Sequence, residues 1–293
     1  MPDAACALVP TDQLAPEALH AAFMRAFADY VAGPAHIELA QWPGLLSRQG
    51  VDLALGRAAL EPSTGSVLGF VLVAPRAVLS RWRIGTMGAV PEARGSGAAR
   101  LLLQDLLQRA RAAGMAAVEL EVFDQNPRAV RLYQQHGFVA QHPLHGYSAA
   151  APEASPPTPP PVAWACAPAA ALAWLDGAAA AVPDLPLQVA APVVQALTTP
   201  WTAWRCGTAQ LVFSGDSATG LIVRSLIDRD PAQADAERLV RGLLAAHPGA
   251  RVIVPPLQRP DLGGEALVRA GFERDPLWQW LMRCDRPSSV AVT

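Results

Sequence analysis

The chain has 293 residues, of which 52% are hydrophobic, and a formal net charge of −2. This length corresponds to about two domains of 100–200 residues each, and the apolar content excludes a globally disordered chain. The 23 basic side chains are all arginine and are balanced by 25 acidic ones. A strongly basic nucleic-acid binder is therefore excluded.

No apolar run reaches the roughly 18–20 residues that a membrane-spanning helix needs. The Ala-rich stretch 162–183 comes nearest, but Asp176, Gly177 and prolines interrupt it. The first residues lack the basic start and apolar core of a signal peptide. We therefore expect no association with a membrane. The four cysteines, Cys6, Cys166, Cys206 and Cys284, lie far apart and lack the spacing of a metal site, so we expect no bound metal. Four scattered thiols also favour a reducing cytoplasm.

Apolar periodicity divides residues 1–150 into alternating helices and strands. Leu19, Phe23, Phe27 and Tyr30, for example, recur at spacings of three and four. In chain order we predict a helix at 14–30, a helix within 36–48, strands at 51–58, 66–75 and 82–90, a helix at 97–113, a strand at 117–123, a helix at 127–136 and a strand from Phe138. This order indicates a mixed α/β layer fold.

A proline-rich run at 151–161 predicts a semi-rigid extended linker, since six of its last ten residues are proline. The predicted domains are therefore 1–150 and 162–293. The second domain repeats the first weakly: a shift of 134 positions places Ala117–Val122 on Arg251–Pro256 and Gly137 on Gly271. Its predicted elements are a helix at 234–247, a strand at 251–255, a helix at 263–270 and a strand at 277–283.

The stretch VPEARGSGAAR, from Val90 to Arg100, lies between a predicted strand and the strongest predicted helix. Glycines let a turn bring its backbone close to a ligand, and the first N–H groups of a helix attract anions. Arg94 adds a full positive charge. The stretch therefore predicts a phosphate site, with a tight structural turn as the alternative.

A second motif is LEVFDQNPRAVRLYQQHGF, from Leu120 to Phe138. Asn126 is the only asparagine in the chain and precedes Pro127, so it is expected to cap a helix and to reach a ligand in a neighbouring cleft. Tyr133 lies two turns into this helix, where it packs in the core or faces a site.

Together the two motifs resemble those of the GNAT superfamily of acetyl-CoA-dependent N-acetyltransferases. Arg94-x-x-Gly97-x-Ala99 is similar to its pyrophosphate loop, and LEV, Asn126, Leu132-Tyr133 and Gly137-Phe138 are similar to its second cofactor motif. The resemblance covers about 80–145 strongly and 1–80 loosely. It implies a pantetheine arm between two strands that part, with acetyl-CoA bound by Gly88, Ala89, Val90, Arg94, Gly95, Ser96, Gly97, Ala98, Ala99 and Asn126.

The resemblance also implies direct attack of a neutral amine on the thioester. Glu121 is the expected base, with Glu119 in reserve, and Tyr133 is the expected acid toward the CoA thiolate; a structural carboxylate is the alternative for Glu121. The acceptor pocket is expected on the early helices, where the candidates are Asp29, Tyr30, His36, Glu38 and Trp42. We expect a small amine or amino acid as acceptor. Acetylation of a protein N-terminus or side chain, and a non-catalytic acyl-CoA sensor, are the alternatives.

Residues 162–293 are expected to form a degenerate second GNAT-like unit without CoA. At the shift of 134, Arg94 corresponds to Asp228, Gly97 to Pro231, Asn126 to Pro260 and Tyr133 to Leu267. Acidic groups thus stand where a pyrophosphate would bind. Two units in one chain are compatible with a monomer, whereas pairing of two chains through an edge strand would give a homodimer.

Overall fold

A computed structural model describes residues 6–152 and 158–285. The chain divides into two compact units. The first takes the residues up to Gln141 and those from Met282, and the second is His142–Leu281.

The first unit is a mixed α/β layer fold built on a sheet in the order β1-β2-β3-β4-β5. The first four strands are antiparallel, and β5 runs parallel to β4. Its elements are β1 (Ala7–Pro10), α1 (Pro16–Ala26), α2 (Trp42–Arg48), β2 (Asp52–Leu60), β3 (Val67–Arg76), β4 (Arg81–Ala89), α3 (Ala98–Ala112), β5 (Ala117–Phe123) and α4 (Pro127–Gln135).

The predicted elements of this unit are confirmed to within a few residues, with one difference of consequence. The predicted helix 14–30 ends at Ala26, because Phe27 leaves the helical conformation (φ −110°) and residues up to Gly33 form turns. Four predicted positions, Phe27 to Tyr30, therefore lie on an irregular segment. Periodicity missed this end because Phe27 and Tyr30 still pack at helical spacing, with ring centroids 4.8 Å apart.

Apolar faces hold these elements together. The face of α3 predicted from the sequence is buried, with Leu102, Leu103 and Leu106 inaccessible to solvent. Strand β3 is buried along most of its length, as expected for the middle of a sheet covered on both faces. Helix α1 packs through Leu19 and Phe23. This rigid core positions the loops at the ends of β4 and β5.

The division between the units falls inside two strands, β6 (Val139–Ala150) and β12 (Glu273–Asp285). Residues His145–Ala150 pair with Arg251–Gln258 in the second unit. These bounds differ from 1–150 and 162–293, because strand pairing rather than composition sets them. Of the predicted linker, residues 153–157 lie outside the described residues, while the Thr158 N–H donates to the Ala245 carbonyl (2.9 Å).

The second unit has its sheet in the order β6-β11-β10-β9-β8-β7, with β10 and β11 parallel. Besides the parts of β6 and β12 it contains β7 (Ala165–Cys166), α5 (Pro168–Ala181), α6 (Ala191–Gln195), β8 (Trp201–Cys206), β9 (Ala209–Asp216), β10 (Gly220–Asp228), α7 (Ala234–Ala246), β11 (Arg251–Gln258) and α8 (Gly264–Arg269). No helix among the described residues is long and apolar enough to cross a membrane.

The two units repeat the same order of elements, which confirms the tandem arrangement. Strands β5 and β11 begin 134 residues apart, at Ala117 and Arg251. Helices α4 and α8 both end at a left-handed glycine, Gly137 (φ 84°) and Gly271 (φ 95°). In both cases the next phenylalanine N–H donates back to the helix, which is the usual glycine-stopped helix end.

Candidate functional site

The parallel strands β4 and β5 part from each other halfway along their length. Their pairing runs from Arg81–Ala117 to Ile84–Leu120 and is not continued in β4 beyond that point. The pairing of β3 with β4 is irregular at the same place, since Leu72 faces Thr86 and Val73 faces Ile84, so that Gly85 forms a bulge. The predicted parting is confirmed. It leaves one backbone edge of Met87–Ala89 turned toward a cleft.

The loop after β4, residues 90–97, and the first turn of α3 have the geometry of an anion-binding site, which we call the cradle. Gly95 (φ 87°) and Gly97 (φ 90°) adopt left-handed conformations, and Gly97 precedes α3 without any side-chain cap. A Cβ at either glycine would meet nothing within 4 Å, so both backbones face open space. Among the described residues nothing accepts a hydrogen bond from the N–H groups of Gly95, Gly97, Ala99 and Arg100.

Other amides of this loop are used to build it. The N–H of Arg94 donates to the Pro91 carbonyl (3.2 Å), and that of Ser96 to the Ala93 carbonyl (3.2 Å). The Ser96 hydroxyl donates to Ala93 (2.7 Å) and accepts from the Ala98 N–H (3.3 Å). The available donors are thus alternate amides, rather than all those from Arg94 to Ala99.

A cavity of about 780 Å³ lies over the parting and the loop. It is large enough for a nucleotide-sized ligand, because small-molecule sites are usually about 300–1,000 Å³. Val90 and Ala98 are buried and do not line it. The predicted site residues on its wall are Gly88, Ala89, Arg94, Gly95, Ser96, Gly97, Ala99, Asn126 and Tyr133.

Three exposed arginines that the sequence did not single out also line this cavity: Arg100, Arg128 and Arg131. None has an ion-pair partner within 6–152 or 158–285. Two of them lie on α4, spaced by three residues, and therefore share one face of that helix. The spacing of these two arginines, directly after the Asn126–Pro127 helix start, is the sequence signal that could have identified them. Together they make the rim suited to a polyanion.

Asn126 has the predicted capping role. Its Oδ1 accepts a hydrogen bond from the Ala129 N–H (3.2 Å) at the start of α4. Because an asparagine side chain also carries two N–H donors, it can cap the helix and still donate toward the cavity that it lines.

Two tyrosines, Tyr30 and Tyr133, stand on the walls of the cavity. Burial raises the pKa of Tyr30 to about 12. Burial and, secondarily, the nearby Tyr30 raise the pKa of Tyr133 as well. Both phenols are therefore neutral at physiological pH, and each can donate a hydrogen bond but cannot act as a base.

Glu121 does not line the cavity, although it is the first residue of β5 beyond the paired part. The Arg83 guanidinium holds it through bonds from Nε (2.8 and 3.1 Å) and from a terminal nitrogen (2.5 Å). Both side chains are only 3% exposed. Glu119 is likewise buried, against Arg76 and Arg81. The structure thus places both predicted carboxylates in buried ion pairs, outside the lining of the cavity.

The Arg94 side chain is also paired. Its two terminal nitrogens donate to the two carboxylate oxygens of Asp29 (2.5 and 2.6 Å), and one of them donates to the Ala26 carbonyl (3.2 Å). This contact holds the pKa of the Asp29 carboxyl below its ordinary value. Asp29 is the one carboxylate among the residues that line the cavity.

Only two of the acceptor candidates, Asp29 and Tyr30, reach the cavity wall. Trp42 is a core residue that packs against Phe23 and His20. Glu38 is exposed and caps a short 3-10 helix. His36 is exposed and does not line the cavity. The prediction that Trp42 contributes to the acceptor pocket is therefore wrong, because its side chain is in the core.

In the second unit the matching helix start is closed by the chain itself. The buried Asp228 carboxylate accepts from the Ala236 N–H (2.9 Å), the Asp230 N–H (3.0 Å) and the Thr208 hydroxyl (2.7 Å). Gln233, equally buried, donates to the Pro260 carbonyl and accepts from the Ala266 N–H. A carboxylate thus occupies the position at α7 that an anion would take.

The fold is shared with solved structures of one superfamily. A GCN5-related N-acetyltransferase from Sphaerobacter thermophilus is 14% identical, covers 100% of this chain and 99% of its own, and has a TM-score of 0.63. The GCN5-related N-acetyltransferase from Anabaena variabilis is 14% identical, covers 94% of this chain and 72% of its own, and has a TM-score of 0.62. That from Kribbella flavida is 15% identical, covers 94% of this chain and 70% of its own, and has a TM-score of 0.59. No curated protein matches the chain in sequence.

The model of the acetyltransferase (GNAT) family matches residues 18–138, which contain the parted strands, the cradle and Tyr133. We refer to residues 18–138, which match this family, as the GNAT domain. This family uses acetyl-CoA, and the GNAT domain fits that ligand: four unused amides and three unpaired arginines face a cavity with two open glycine positions. No group of three potential metal ligands occurs among the described residues.

Proposed function

We propose that the GNAT domain is an N-acetyltransferase that moves an acetyl group from acetyl-CoA to a primary amine. The observation that carries this proposal is the cradle of free amides that opens into the cavity on whose wall Tyr133 stands. Those amides would hold the pyrophosphate, with Arg100, Arg128 and Arg131 around the phosphates. The edge of Gly88 and Ala89 would bind the pantetheine amides as a neighbouring strand would.

The chemistry is direct attack by the neutral amine on the thioester carbon. An alkyl amine with a pKa of about 10 is mostly protonated at pH 7, so its proton must first be removed. We assign this role to Glu121, acting through water because it does not line the cavity. Arg83 fixes the direction of its carboxylate. A backbone N–H near Ala89 would meet the developing oxyanion.

Tyr133 assists the departure of CoA. The C–S bond breaks as the C–N bond forms, and the electron pair leaves on sulfur. Because burial raises the pKa of Tyr133 above the usual 10, complete proton transfer to a thiolate, whose thiol pKa is about 8–9, is uphill. The hydroxyl is therefore better suited to stabilise the thiolate by a hydrogen bond than to hand over its proton.

Tyr133→Phe is expected to lower kcat by about 10–100-fold while leaving the Kd for acetyl-CoA unchanged, because only the leaving group loses a partner. The matched control is Tyr147→Phe, which removes the hydroxyl of a buried tyrosine in the second unit. The measurement is thiol release from acetyl-CoA with a panel of small amines, amino acids and peptides. Equal activity of both variants would contradict the role of Tyr133.

We propose a small amine or amino acid as acceptor, since the cavity wall carries no acidic funnel for a basic protein segment. Acetylation of peptides alone in the same panel would favour the protein-directed alternative. A non-catalytic sensor would bind acetyl-CoA but release no thiol with any acceptor. The free thiols of Cys6, Cys166, Cys206 and Cys284 favour a reducing cytoplasm, and we propose a monomer or homodimer in which the second unit binds no CoA.

A further inference from the structure

The contact between Arg94 and Asp29 joins the cradle loop to the segment that follows α1. Arg94 belongs to the loop, and Asp29 lies in the turns between Ala26 and Gly33. The bond to the Ala26 carbonyl adds a third point, at the end of α1. Two parallel bonds between a guanidinium and a carboxylate fix both groups in orientation as well as in distance. We call this set of three bonds the Arg94–Asp29 clamp.

The segment held by the clamp forms one wall of the cavity through Phe27, Asp29, Tyr30 and Val31. Its backbone bonds are few. The N–H groups of Phe27 and Ala28 donate to the Phe23 and Arg25 carbonyls of α1, Gly33 donates to the Tyr30 carbonyl, and Ala35 donates to the Phe27 carbonyl. Turns with few backbone bonds open more easily than helices and strands, unless side chains fix them. The position of the Tyr30 ring therefore depends on the clamp and on its packing against Phe27 and Phe123.

The clamp also leaves little of Arg94 for a ligand. Three of the five guanidinium N–H groups already have acceptors, and a phosphate could bind the two terminal nitrogens side by side only by displacing the Asp29 carboxylate. Other donors are available without any displacement, namely the amides of Gly95, Gly97, Ala99 and Arg100 and the side chains of the three rim arginines.

We propose that Arg94 and Asp29 are positioning residues that hold the Phe27–Val31 segment, and with it Tyr30, against the cradle loop. The Arg94 side chain then serves the acceptor side of the cavity and is not a phosphate ligand. The second statement rests on the proposed function, whereas the first does not.

The first arm of the test uses the free protein. Hydrogen exchange of the 26–33 peptides is expected to be about fivefold faster in Asp29→Asn and in Arg94→Gln, and no faster than that in the double variant, because either change opens the same clamp. Glu92→Gln is the matched control. It removes a negative charge, as Asp29→Asn does, from the loop that carries Arg94, but its ion pair is with Arg25 inside α1 (2.7 Å). The exchanged pair, Asp29→Arg with Arg94→Asp, is expected to restore protection.

The second arm measures CoA binding by calorimetry. The Kd of Asp29→Asn and of Arg94→Gln is expected to stay within about threefold of the native value, because the cradle amides are untouched. Weakening by tenfold or more in Arg94→Gln alone, with tightening in Asp29→Asn, would overturn the proposal and make Asp29 a competitor of the phosphate. Unchanged exchange in both variants would overturn it as well. Absence of CoA binding by the native protein would instead refute the proposed function, and the exchange arm would still test the clamp.

Discussion

Replacement of Ala99 by glutamate is expected to weaken acetyl-CoA binding by about 100-fold, or about 2.7 kcal/mol. Ala99 is in the first turn of α3 and lines the cavity, so a carboxylate there would stand beside the unused amides of the cradle. This carboxylate would repel the pyrophosphate and would accept hydrogen bonds from the N–H groups that should bind the pyrophosphate. The fold should be retained, because an acidic side chain in the first helical turn is favourable. Calorimetric titration measures the effect.

Leu101→Glu is the matched control for this variant. It places the same charge two residues further along the same helix, at an exposed position that does not line the cavity. We expect its Kd to lie within about threefold of the native value, since an exposed charge is largely screened by salt. Equal weakening of acetyl-CoA binding in both variants would mean that the added charge repels the ligand from any nearby position, and would contradict a specific role of the cradle amides.

Replacement of Glu119 by glutamine is expected to lower the free energy of unfolding of the first unit by about 3–5 kcal/mol. The Glu119 side chain is 1% exposed and pairs with Arg76, which is buried as well, and with Arg81 (3.2 Å). Removal of the carboxylate takes away the Glu119 charge that pairs with the buried Arg76 guanidinium. This cost is much larger than that of an exposed pair.

The experiment must follow the first unit alone, because a chain with two compact units need not unfold in one step. Hydrogen exchange of the β3 and β5 amides at rising urea concentration does so. Glu92→Gln, which breaks an exposed pair, should leave the same transition unchanged. If Glu119→Gln were equally harmless while acetyl transfer collapsed, Glu119 rather than Glu121 would be the better candidate for the base.

Most of the first unit could be predicted from its sequence, because its signals are local. The strand at 117–123 has the predicted bounds, and the predicted apolar face of α3 is buried. The cradle followed from two glycines before a helix, a pattern with a direct backbone meaning. The parting of β4 and β5 came instead from the resemblance to GNAT proteins.

The partners of charged side chains could not be predicted, because they come from distant parts of the chain. Asp29 is 65 residues from Arg94, and Glu121 is 38 residues from Arg83. A composition that supplies positive charge only as arginine favours such bidentate pairs, but it does not say which residues form them. The pairing of Arg94 and the burial of Glu121 were therefore visible only in the fold.

The second unit was harder to predict because its signals are weak. Its Ala-rich helix α5 has little contrast between its faces, and strands β8, β9 and β10 were not predicted from the sequence. The acidic residues at 228–237 were informative, however. Asp228 fills the start of α7 with a carboxylate, as the degenerate motif suggested.

The proposed function requires that one chain binds one acetyl-CoA, in the first unit. Calorimetric titration of the intact protein with acetyl-CoA measures this number. We predict one site per chain, lost in Ala99→Glu and retained in Leu101→Glu. Two sites per chain would show that the closed helix start at Asp228 still admits the cofactor, and no binding by the folded protein would contradict the acetyltransferase proposal itself.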